Sequence, residues 1–161
     1  MSEEFSTNQS FSRIDQEVSS WPGVSKHGHS YGGTEYHFGS AQIGHIHTRA
    51  TVHIPFPRAF HDELIAQGLA EKHPWSPESG WISFHPAAED GTRHAIWLMR
   101  LSYLRYALRK APDAITHLEH ESEELHLSPS FRALLRSSCT GSSAPFGPPQ
   151  SPQGEQRTGG I

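Results

Sequence analysis

Between Thr92 and Arg109 the apolar residues Ile96, Trp97, Leu98, Met99, Leu101, Tyr103, Leu104 and Tyr106 cover most of the circumference of a predicted helix. A helix that is apolar nearly all round has no solvent face, so it is buried on several sides or meets a partner. The rest of the chain must supply the layers that cover it, or a second copy must do so in a homodimer through this long apolar helix. Asp90 stands where it can cap the helix.

Upstream, Val24 to Ile54 reads as strands. Alternation through Thr34 to Phe38 sets Tyr36 and Phe38 opposite Glu35 and His37, with turn signals at Gly32-Gly33, Gly39-Ser40 and Thr48-Arg49. Pro57 opens a second helix that runs to about Gln67 and is closed by Gly68. Ala70 to Pro77 reads as a loop, and Gly80 to His85 as the last strand. Ser12 caps a short N-terminal helix in which Ile14, Val18 and Trp21 recur at helical spacing. The fold class is therefore α+β: a small antiparallel sheet of four to five strands packed against two main helices, with a short N-terminal helix. Residues 1–12 are expected to be disordered and 13–110 to form the domain. Residues 111–136 form a helical extension docking on it, and 137–161, rich in Gly, Ser, Pro and Gln, a disordered tail.

The chain has 161 residues, enough for one domain and not for a second catalytic one. Thirteen basic against 17 acidic residues, with no basic cluster, argue against nucleic acid. No apolar run approaches membrane-spanning length and the first residues do not read as a signal peptide, so the expectation is a cytoplasmic protein without a membrane partner. A single cysteine, Cys139, excludes a disulfide framework or a thiolate zinc cluster. Gly-x-Gly-x-x-Gly, phosphate-loop, Gly-x-Ser-x-Gly and His-Glu-x-x-His motifs are all missing, which removes the usual support for nucleotide, serine-hydrolase and zinc-protease chemistry.

Histidine is the unusual component, with 13 copies spread along the chain. In Gly44-His45-Ile46-His47 a spacing of two places both imidazoles on one face of a strand, about 7 Å apart at their backbones. Side chains so arranged can share an ion when a carboxylate or third histidine arrives from another strand, with His37, His53 and Glu35 as nearby candidates. They can equally bind or transfer a proton without metal, or simply be solvated. A cupin-type site places a Glu four or five residues after such a pair, and Thr51 and Val52 stand there instead. His73, in a loop before Pro74, is placed to act as general acid or base. Trp75, Trp81 and Tyr36, with Phe38, could line a pocket for a flat aromatic ligand. The remaining histidines, His29 among them, carry no assigned role.

The strings Gly33-Thr34-Glu35, Gly44 to His47, Ile54 to Pro57, Gly68 to Pro74 and Glu78 to Phe84 together resemble the fungal luciferase-type domain, over about residues 20–108. The resemblance is to a small bacterial form of it. It implies an oxygenase-like enzyme that acts with molecular oxygen on a small hydroxylated aromatic or pyranone-type compound, with no metal and no organic cofactor. Catalytic roles would fall to His45, His47 and His73, and ligand binding to Glu35, Tyr36, Trp75 and Trp81. Light emission is not expected, because the membrane-associated segment of the fungal enzymes has no counterpart in the sequence. The alternative is a non-enzymatic small-ligand-binding or protein-interaction module, which would use the long helix and the acidic face from Glu119 to Glu124.

Overall fold

In a computed structural model of the chain, residues 2–30 and 32–140 are described, with side chains from Thr7 onward. The elements in order are α1 (Ser2–Ser20), β1 (Val24–Gly28), β2 (Thr34–Phe38), β3 (Ala41–Ile46), β4 (Val52–Pro55), α2 (Arg58–Ala66), β5 (Glu71–Lys72), β6 (Trp81–Phe84), α3 (Ala88–Lys110), α4 (Ala114–Glu124) and α5 (Pro129–Thr140). The strands form one six-stranded sheet, in the order β1-β2-β3-β4-β6-β5, with every neighbouring pair antiparallel.

Period-two alternation sorts the strand residues onto two faces. Tyr36, Ile46, Val52, Ile54 and Ile82 are fully buried on the face that meets the helices. Leu98, Met99, Leu101, Leu104 and Leu108 of α3, also fully buried, fill the centre of the molecule. The remaining sides of α3 are taken by Ile14, Val18 and Trp21 of α1, Leu118 of α4, and Phe131 and Leu135 of α5. Its apolar circumference is thus covered within one chain. Gly44 allows the close approach of α3 to the sheet, because a Cβ there would stand 2.6 Å from Met99 Sδ.

Polar ties fix the outer helices. Trp97 Nε1 donates to the Leu125 carbonyl at 3.1 Å, and Arg100 pairs with Glu121. Asp113 caps α4 through the Thr116 amide. Among the described residues no helix is long and apolar enough to cross a membrane.

Several expectations need correction. The sheet has six strands because Glu71 and Lys72, inside the stretch read as a loop, pair with Ser83 and Ile82; two residues are too few to show a period. The stretch read as a disordered N-terminus is helical from Ser2. There Ser10 is buried and accepts a 2.8 Å hydrogen bond from Thr92 Oγ1, while Phe11 packs on the core. Ser12 therefore lies inside a helix and caps nothing. Asp90 lies in the first turn of α3, where its charge suits the helix dipole, and Ala87 is the N-cap residue. Of the predicted tail, residues 137–140 complete α5 and 141–161 lie outside the described residues.

The central place of α3 is testable. Leu104→Ala is expected to lower the unfolding free energy by ~2–5 kcal/mol in urea denaturation, the cost of a core cavity. A loss below ~1 kcal/mol would show that α3 is not the packing centre.

Candidate functional site

The sheet face turned away from the helices carries the other alternating set. Glu35 and His37 come from β2, Gln42 and His45 from β3, His53 from β4, and Trp81 and Ser83 from β6. The pairings Glu35↔His45, His45↔His53 and His53↔Ser83 run straight across three strand boundaries. A register shift at Tyr36/His37 marks an irregularity in which Gln42 falls opposite His37. Gln42 then reaches its own neighbour, with its Nε2 2.9 Å from His45 Nδ1. His47 follows at the end of β3, and His73 joins from the turn after β5, its amide bonded to the Trp81 carbonyl.

His29 completes the group from the β1–β2 connection. Gly33 makes this possible: its φ of 126° suits glycine alone, and a Cβ there would run into the Ile46 carbonyl oxygen. With that turn pressed against β3, the His29 ring stacks on His45 at 4.2 Å between centroids and lies 5.4 Å from His47. The chain of ring contacts continues through His45–His47 at 5.0 Å, His47–His53 at 4.8 Å and His53–His73 at 4.4 Å. Trp81 lies 5.4 Å from His45, and Trp75 lies 5.6 Å from His73.

These rings bury one another: His45 and His73 are 5% exposed and His53 3%. Burial disfavours the imidazolium, and neighbouring imidazoles add to the effect. Together they push His45 down to about 2 and His53 down to about 3, and they lower His47 and His73 as well. All four are therefore neutral near pH 7. Burial raises the Glu35 carboxyl, but hydrogen bonds from His37 and His29 outweigh it and hold the group below its ordinary value. Glu35 receives His29 Nδ1 at 2.6 Å on one oxygen and His37 Nε2 at 3.0 Å on the other. His73 Nε2 and His53 Nδ1 are 3.1 Å apart and share one hydrogen bond. Among the described residues His73 Nδ1, Trp81 Nε1 and Ser83 Oγ are buried on this face with no hydrogen-bond partner.

Of the residues singled out in the sequence, His45, His47, His73, Glu35, Trp75 and Trp81 come together on this one face. Tyr36 does not. It lies on the helix side of the sheet, fully buried, with its hydroxyl donating to Asp15 Oδ1 at 2.6 Å. Strand alternation requires this once Glu35 faces the site. Three members of the group had no role assigned from sequence: His29, whose approach depends on a turn, Gln42, brought into line by the shifted register, and Ser83, set opposite His53 by strand pairing. A cleft of about 470 Å³ lined by Leu69, His94, Trp97 and Phe131 lies among the helices and contains none of these residues.

The fold and site define an α+β domain with a histidine-lined sheet face. Residues 40–102 match the family model of the Luciferase domain, which supports a luciferase-type domain in this part of the chain. The matched segment holds His45, His47, His53, His73, Trp75 and Trp81; His29 and Glu35 precede it. No curated protein and no solved structure matched the chain.

The neutral rings link stability to pH. A histidine whose folded pKa lies below its unfolded value of about 6.5 binds fewer protons in the native state, so stability falls as pH drops below 6.5. For His45 and His53 the loss continues down to about 2 and about 3, at up to ~1.4 kcal/mol per pH unit for each. Urea denaturation between pH 7.5 and 5.5, with a chelator present, should show this fall, and His53→Asn should make it shallower. A flat profile in the parent would mean that the rings are solvated.

Proposed function

We propose that this face is the active centre of a luciferase-domain-like, oxygenase-type enzyme that takes a proton from a small hydroxylated aromatic or pyranone-type compound. The observation that carries the reading is the buried His53–His73 pair beside Trp75 and Trp81. When His73 donates its Nε2 proton to His53, its Nδ1 is left as a base without a partner. Proton affinity so held, in a group shielded from water, suits an acidic enol or phenol.

Trp75 is 74% exposed and lies edge-on to both His53 and His73. A flat ligand laid against the exposed face of this indole would gain stacking area there, with its edge toward the imidazoles. Transfer of the substrate hydroxyl proton to His73 leaves an electron-rich enolate, and an imidazole N–H of His45 or His47 stabilises its oxygen. The enolate passes one electron to dioxygen. The resulting radical pair joins through a carbon–oxygen bond, and the imidazolium returns its proton to the peroxide. The sum is substrate plus dioxygen giving a hydroperoxide, with no other reductant. Light emission forms no part of this reading.

A binding module without chemistry is the second reading, favoured by the exposure of Trp75, since an exposed indole is a common anchor for a ligand or partner.

The two readings part in one experiment. Purified protein is screened against hydroxylated aromatics and pyranones by thermal shift, and hits are followed by oxygen consumption. The enzyme reading expects uptake that falls by ~10²-fold or more in His73→Ala, the usual contribution of a general base, while the ligand still raises the melting temperature. Ligand binding without oxygen uptake in either protein would leave the module. The absence of any ligand among these classes would remove the proposed substrate.

A further inference from the structure

The histidine face divides into two parts. His53 and His73 form the hydrogen-bonded pair, whereas one nitrogen each from His29, His45 and His47 converge, all within 4.8 Å of one another. We infer that His29, His45 and His47 form a binding site for one divalent first-row transition-metal ion. The inference deepens the reading of this face as an active centre and rests on it.

The donor set selects the ion. Three nitrogens with no thiolate suit zinc, copper, iron or nickel, while calcium and magnesium take oxygen ligands. An ion bound by three imidazoles at ~2.0–2.1 Å has donors ~3.4 Å apart. The triad, with its donors within 4.8 Å of one another, would have to close to that spacing by side-chain rotation on binding the ion. Three protein ligands also leave a coordination position open for a substrate oxygen.

A second observation points the same way. Ligating histidines characteristically use their other ring nitrogen on a carboxylate, carbonyl or amide that fixes the tautomer. Two rings of the triad have such a partner: Glu35 for His29 and Gln42 for His45. Rotation of the Gln42 amide, whose oxygen and nitrogen are interchangeable in shape, would let it accept from His45 Nδ1 and leave Nε2 for the ion. Glu35 also places a negative charge beside a site that would receive a dication.

The neighbourhood gives the ion a role. His47 and His45 touch His53, and His45 touches Trp81. A substrate hydroxyl oxygen on the open position would lie beside the His53–His73 pair, so the ion would stabilise the oxyanion in place of an imidazole N–H of His45 or His47 while that pair takes the proton.

The test uses full-length protein without a tag, stripped with EDTA and dialysed, then titrated with Zn²⁺ by calorimetry and with Co²⁺ by visible absorption. One equivalent bound with a Kd of ~1 μM or tighter is expected, with Co²⁺ bands of a low-coordinate nitrogen site. Glu35→Gln should weaken binding ~10–100-fold, as loss of a partner to a ligating histidine does. His29→Ala should abolish the tight phase, and the surface pair His117→Ala/His120→Ala should leave it unchanged. Circular dichroism checks that each variant is folded. Stoichiometry under about a tenth of an equivalent, or equal binding by parent, His29→Ala and Glu35→Gln, overturns the site. Neither readout needs a substrate. The thermal-shift screen on stripped protein tests the enzyme reading separately, so a ligand without a metal defeats only this inference, and a metal without a ligand defeats only the substrate assignment.

Discussion

The structure depends on covering α3. A helix apolar on nearly every side can be stable in water only if layers surround it, and here the sheet takes one side while α1, α4 and α5 take the others. Among the described residues the second face of this single sheet meets no helix. The six strands therefore have one face committed to packing and one that carries the histidines, and period-two alternation enforces the division residue by residue. Gly44 belongs to both sides of this arrangement: its missing side chain lets Met99 close on β3, directly behind the strand position that carries His45.

The histidine face illustrates how so many ionisable groups can lie together. Charged, they would repel at ring separations of 4 to 6 Å in a poorly solvated setting. Neutral, they pack as flat, weakly polar rings and pair donor to acceptor, as His53 and His73 do. Burial keeps His45, His47, His53 and His73 neutral near pH 7, and neutrality is the state that suits both a proton acceptor and a metal ligand. Glu35 is the exception, an anion stabilised by two imidazole donors. It holds His29 from one side and His37 from the other, which orders the edge of the site.

Much of the fold was legible because long periodic segments report their own environment. The α3 stripe, the alternation in Thr34–Phe38 and the Pro57 and Gly68 boundaries of α2 all depend on local spacing, and the structure follows them. The unrecognised pieces had no period to report. Strand β5 is two residues long, and the first half of α1 is polar enough to look unstructured until Ser10 and Phe11 meet the body of the molecule. At the site, the His45–His47 pair was legible from its spacing of two and Trp81 from its place in a strand. Tyr36 and Glu35 are adjacent strand residues that point to opposite faces, so only one of them can belong to the site.

The sequence by itself determined that the chain is α+β, that α3 must be enclosed, and that His45 and His47 share a face, because each follows from spacing along a helix or strand. Only the tertiary structure decided which residues join them. His29 arrives through a turn shaped by Gly33, His53 through strand register, His73 through the hydrogen bond its backbone N–H donates to the Trp81 carbonyl, and Gln42 through a shifted pairing. Those are distances across the sheet between residues far apart in the chain, and local periodicity carries no record of them.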